Sequence, residues 1–158
     1  SAMRVQGIMS NPVVTCRPQD SINTAAQLMW ERDCGALPVV TDDGRLVGIL
    51  TDRDVCMAAF TTGSRLTEIG VADVMAHQVV CCDPEDSVES VEGMMRERQL
   101  GRLVVVDKQQ APVGVLSLSD IARYALSSQR RDMLEHQVVL TLASIRMPRR
   151  RSSRPPSF

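Results

Sequence analysis

A chain of 158 residues with 44% hydrophobic and 23% charged content can bury one sizeable core or two small fused ones. No apolar run approaches the roughly 18 to 20 residues that span a bilayer, and the N-terminus lacks the layout of a signal peptide. The five cysteines are odd in number and lack C-x-x-C spacing, which argues against a disulfide framework or a zinc knuckle, so a soluble cytoplasmic protein is expected.

Ser1 and Ala2 ahead of Met3 read as an expression scar. The next feature is self-similarity: residues 9–55 superimpose on 75–121 at a constant shift of 66 without a gap. Met9 matches Met75, Pro18 matches Pro84, Gly35 matches Gly101, and Asp54 matches Asp120. Each unit begins with a short predicted strand, Val13 to Cys16 and Val79 to Cys82, that runs into proline. An acidic cap then opens a helix, with Asp86 and Glu89 at capping-box spacing. Ile22, Ala25, Ala26 and Met29 on the first helix, and Val88, Val91 and Met95 on the second, recur at helical spacing and are predicted core.

After Gly35 and Gly101 come β-branched runs, Leu37 to Val40 and Leu103 to Val106. Each is followed by a turn and a second run, Leu46 to Leu50 and Val113 to Leu116. Asp42-Asp43-Gly44 marks the first hairpin. Both hairpins pass into a second helix near Thr51 and Ser117. The predicted organisation is an N-terminal lead (1–4), a first repeat (5–60), a linker (61–70), a second repeat (71–126), a C-terminal helix (127–146) and a basic tail (147–158). Leu134, Val138, Leu142 and Ile145 form an apolar stripe on the C-terminal helix, suited to the chain's own core or to a partner.

Net charge is −1, yet Arg146, Arg149, Arg150, Arg151 and Arg154 sit in a stretch without acidic residues, leaving 13 basic against 19 acidic residues elsewhere. The tail is expected to be disordered. No aromatic residue interleaves its arginines, so nucleic acid is not expected as a partner.

The chemistry-bearing segments are the two hairpin ends, Gly48 to Asp54 and Gly114 to Asp120, each reading Gly-x-x-Ser/Thr-x-x-Asp. Ser/Thr-x-x-Asp is a capping box and satisfies orphan backbone donors with no ligand present. It is equally compatible with phosphate at a helix N-terminus and a carboxylate that accepts ribose hydroxyls. His77, Cys81, Cys82 and His136 lack metal-ligand spacing, and no nucleophile-base arrangement or P-loop is present, so no metal, required cofactor or enzyme activity is expected.

The duplicated pattern resembles a tandem pair of cystathionine-β-synthase (CBS) domains, a Bateman module, across roughly residues 5 to 125. The signatures are Val71-Ala72-Asp73-Val74-Met75, Gly35-Ala36-Leu37-Pro38-Val39-Val40 and the two Asp-terminated endings. The second repeat also resembles the γ subunit of AMP-activated protein kinase over Arg102 to Asp107 and Gly114 to Asp120. The resemblance implies an α+β fold of two β-α-β-β-α repeats related by a pseudo-two-fold axis, two clefts between them, and a homodimer. It implies a regulatory ligand such as AMP, ADP, ATP or NAD and an unidentified protein effector. One cleft would use Asp120, Ser117, Ser119 and Val115 with Thr15, Gly35 and Arg102; the other would use Asp54, Thr51, Ile49 and Arg53 with Cys81 and Gly101. Cys81 there replaces the hydroxyl of Thr15, and Ala36 stands where Arg102 stands. A dimerisation or partner-docking module with degenerate clefts is the alternative.

Overall fold

The computed structural model describes residues 3–127 and 131–146. Ser1, Ala2 and the basic tail lie outside the described residues. In each repeat a helix leads into an antiparallel hairpin that runs directly into a second helix: α1 (Ile22–Arg32), β1 (Ala36–Val40), β2 (Leu46–Thr51) and α2 (Asp52–Thr62) in the first. The second repeat holds α4 (Val88–Arg98), β4 (Arg102–Val106), β5 (Pro112–Ser117) and α5 (Leu118–Ser127). Between them lie the short α3 (Val71–Val74) and β3 (Cys81–Cys82), and α6 (Arg131–Arg146) ends the described chain. The fold is α+β, with β1-β2 forming one sheet and β3-β4-β5 the other.

The first helix of each repeat starts one residue later than the acidic cap expected from sequence. Ser21 and Ser87 are the caps, accepting the N–H of Thr24 and Ser90 at 3.2 Å. Asp20 and Asp86 instead accept the N–H of Arg17 and Asp83 at 2.8 and 2.9 Å, closing the proline-containing turn before each helix. The carboxylates are used by the turn, and the hydroxyls, on extended backbone, are left to cap.

The predicted first strands are much reduced: β3 is two residues long, and in the first repeat a single bridge joins Cys16 to Val39. Pro38 explains the difference between repeats. Its counterpart Val104 donates its N–H to the Val80 carbonyl at 3.4 Å. Pro38 has no N–H to give Val14.

The two cores exchange their entry segments. Val5, on a single 3-10 turn (Val5–Gly7), is fully buried among Cys82, Val88, Val91, Leu103 and Ile121 of the second repeat. Val71 of α3 is fully buried among Ile22, Leu37, Leu50 and Val55 of the first. The backbone repeats the exchange: Val5 N–H reaches Asp86 O at 2.9 Å and Val71 N–H reaches Asp20 O at 2.8 Å. Residues 5–10, within the first expected repeat, and 71–75, within the second, thus each pack into the opposite core. Full burial of a valine contributes about 1.5–3 kcal/mol, so each half is stabilised by a piece of the other.

The exchange continues to the strands. Ser10 N–H donates to Val115 O at 2.9 Å, and Ala76 and Ile49 bond reciprocally at 2.9 and 3.0 Å. Each crossing brings a methionine against a glycine: a Cβ on Gly114 would lie 2.6 Å from Met9 Sδ, and one on Gly48 would lie 2.8 Å from Met75 Sδ. The glycines of the repeated ending therefore have a packing function, letting the opposite entry segment cross β5 or β2.

The C-terminal helix, expected within 127–146, spans Arg131–Arg146. Val138 packs on the second core, whereas Leu142 is exposed. Side chains before Glu135 on this helix, Leu134 included, lie outside the described residues. Polar groups complete the contact. Thr141 is fully buried and donates to the carboxylate of buried Glu92, which also pairs with Arg96 at 2.7 Å. Ser144 Oγ donates to Arg96 O at 2.9 Å. The helix thus covers its own second repeat through Val138 and a satisfied polar cluster.

Candidate functional site

A cleft of about 430 Å³ opens between the repeats. The second repeat contributes Arg102 from the start of β4, Val115 and Ser117 from β5, and Ser119 and Asp120 from the first turn of α5. The first contributes Val13, Val14 and the segment from Arg32 to Ala36.

Ser117 and Asp120 close a reciprocal capping box. The Ser117 N–H donates to Asp120 Oδ2 at 2.8 Å and the Asp120 N–H to Ser117 Oγ at 3.1 Å. Asp120 is 7% exposed, and its Oδ1 is paired with Arg123 one turn along α5. A carboxylate has about four lone-pair sites, so these contacts leave it able to accept further donors from the cleft. Arg102 extends from the second repeat across Gly35 of the first: a Cβ on Gly35 would lie 3.2 Å from Arg102 Nη1 and 3.1 Å from Asp52 Oδ2. Gly35 thus leaves room for the guanidinium to cross the boundary between repeats. The Cys34 thiol beside it is pushed up by burial and by Asp33, with Arg102 and Arg32 pulling the other way.

Of the residues expected in this cleft, Gly35, Arg102, Val115, Ser117, Ser119 and Asp120 line it together. Thr15 does not; Val13 and Val14 take its place. Cys16 is drawn into the first core and bonded to Pro38 and Val40, so the chain passes the cleft earlier than expected. Arg32, Asp33 and Cys34 were not expected. Their signal was adjacency to Gly35, with Arg32 closing α1 and Asp33 its left-handed cap at φ 50°.

Around Asp54 the local geometry of the first repeat matches that around Asp120. Thr51 and Asp54 form the same capping box, Thr51 N–H to Asp54 Oδ2 at 2.9 Å and Asp54 N–H to Thr51 Oγ1 at 3.2 Å. Asp54 lines a groove of about 310 Å³ whose other walls include Met57, Thr61, Ile69 and Asp73, none of them from the expected set. Ile49 bonds with Ala76 as Val115 does with Ser10, Gly101 accepts the Leu118 N–H as Gly35 accepts that of Asp52, both at 3.0 Å, Cys81 sits in β3 beside Val104, and Arg53 is exposed on α2.

Three of the thiols, Cys16, Cys81 and Cys82, are poorly suited to redox chemistry. Cys16 and Cys82 are buried and each pushed up to about 12, chiefly by burial, with nearby carboxylates (Asp20; Asp86) adding to it. Burial also raises Cys81. The thiolate required for reaction is therefore disfavoured at neutral pH.

The CBS-domain family model matches residues 5–60 and 71–127. The chain belongs to the CBS-domain family. The CBS domain-containing protein YhcV of Bacillus subtilis is 35% identical over 125 residues, covering 79% of this chain and 87% of YhcV. Among solved structures, the CBS domain pair of protein MJ0100, in complex with 5′-methylthioadenosine and S-adenosyl-L-methionine, matches with a TM-score of 0.72 at 26% identity. That match covers 80% of this chain and 98% of the MJ0100 chain. Hypoxic Response Protein I, solved with two coordinated zinc ions, matches with a TM-score of 0.68 at 30% identity, covering 77% and 98%. In this CBS pair, among the described residues, no three His, Cys, Asp or Glu side chains converge as a metal site would require. No described helix is long and apolar enough to cross a membrane.

Proposed function

We propose that this CBS pair is a regulatory module that takes an adenosine-containing ligand, with AMP, ADP, ATP and NAD as candidates, into the Asp120 cleft. The observation that carries the reading is the cleft itself. It places a buried carboxylate, two hydroxyls and a cross-repeat guanidinium around about 430 Å³ of space that both repeats wall. Asp120 accepts the ribose hydroxyls, Ser117 and Ser119 serve ribose or phosphate, and Val115, Val13 and Val14 flank the base. Arg102, with Arg32 on the opposite repeat, meets the phosphate. A ligand held by both repeats stabilises one relative arrangement of them. The module acts as a homodimer that passes this state to a protein effector, and it carries out no reaction of its own.

A thermal-shift panel tests the reading. A ligand at a hundred times its dissociation constant stabilises the native state by about 2.7 kcal/mol. For a chain of this size that is a rise in Tm of roughly 5–10 °C. At least one of AMP, ADP, ATP, NAD and S-adenosylmethionine is expected to produce it. Silence across the panel at millimolar concentration contradicts the reading and favours a docking module with degenerate clefts.

A further inference from the structure

The repeats differ behind their aspartates. At the constant shift of 66, Arg123 of α5 corresponds to Met57 of α2, so only the second repeat has a cation at this position. Arg123 lies three residues beyond Asp120 on one helix, the spacing at which side chains of successive turns meet. Its guanidinium engages Asp120 Oδ1, while Oδ2 takes the Ser117 N–H.

The side from which Arg123 arrives matters. Asp120 lines the cleft between the repeats and also a second cavity of about 450 Å³ bounded by Met3, Gly7, Ile8 and Tyr124. Arg123 lines the second cavity and is not part of the cleft wall. It therefore holds the carboxylate from behind, and the lone pairs that face the cleft stay open to a ligand. A charge-assisted pair on one oxygen and a backbone N–H on the other fix both ends of the group.

We propose that Arg123 is a positioning residue of the Asp120 cleft. It orients the carboxylate so that both oxygens meet a ribose diol, and its replacement by Met57 leaves Asp54 without that support. The inference rests on the reading of the cleft as an adenosine site and adds a determinant of selectivity for the intact ribose.

The test compares AMP with 2′,3′-dideoxy-AMP by titration calorimetry on wild type, Arg123→Ala and Arg123→Lys. Wild type is expected to prefer AMP by roughly ten- to a hundredfold, the range for hydrogen bonds to a charged group. Arg123→Ala is expected to cut that preference to about threefold or less, chiefly by weakening AMP, with the dideoxy nucleotide bound within about twofold of wild type. Arg123→Lys is expected to recover part of the preference. A purely structural role would weaken both nucleotides equally, so an unchanged preference in Arg123→Ala overturns the inference while leaving the adenosine site standing. Wild type that binds AMP with no ribose preference, or that binds none of the nucleotides of the panel, overturns the reading of the cleft and the inference with it.

Discussion

Asp120→Asn is expected to weaken binding of an adenosine nucleotide by ten- to a hundredfold while the protein stays folded. The carboxylate is buried and placed by the Ser117 N–H at 2.8 Å and by Arg123, so its direction is set before a ligand arrives. A charged acceptor facing two ribose hydroxyls is worth about 1.5–3 kcal/mol, which gives the quoted loss of affinity. Asparagine keeps an oxygen for the Ser117 N–H, so the capping box survives in part and stability falls by about 1 kcal/mol or less. Titration calorimetry with thermal unfolding of the same samples separates the two effects. Wild-type affinity in a folded variant would mean that Asp120 is only a helix cap.

The second large effect concerns stability and comes from the crossing of the entry segments. Gly114→Ala would place a methyl group 2.6 Å from Met9 Sδ and 3.0 Å from Ser10 O. The thioether can move, but the Ser10 carbonyl belongs to backbone already bonded to Val115. Strain of this kind costs about 1–3 kcal/mol, equivalent to a fall in Tm of roughly 5 °C. Gly93→Ala provides the opposite sign. Gly93 lies inside α4, and a methyl group added there would meet nothing within 4 Å, so alanine is expected to stabilise the helix by about 0.5–1 kcal/mol. Calorimetric Tm values for the two variants should move in opposite directions. A Gly114→Ala protein as stable as wild type would contradict the tight crossing.

Much of this architecture was legible in the chain. The shift of 66, the hairpins and the apolar helix faces follow from local rules of periodicity and turn chemistry, and Ile22, Met29, Val88 and Met95 are buried as their spacing implies. The exchange of Val5 and Val71 was not legible, because two equivalent segments fit two equivalent cores and only packing across the pair decides which joins which. The short first strand could have been read from Pro38, whose missing N–H removes a bond that Val104 makes. Arg123 was also within reach: once α5 was placed after Ser117, its spacing from Asp120 implied a pair. Arg32 and the passage of Val13 and Val14 along the cleft, in place of Thr15, depend on how α1 ends and how Cys16 is anchored, which no motif records.

The most direct test of the central claim is a crystal structure of this CBS pair grown with AMP. The expected result is a nucleotide between the repeats, its ribose hydroxyls bonded to Asp120, its base beside Val115 and Val13, and its phosphate toward Arg102. A nucleotide bound away from Asp120, with the cleft carboxylate contacting only Ser117 and Arg123, would contradict the account.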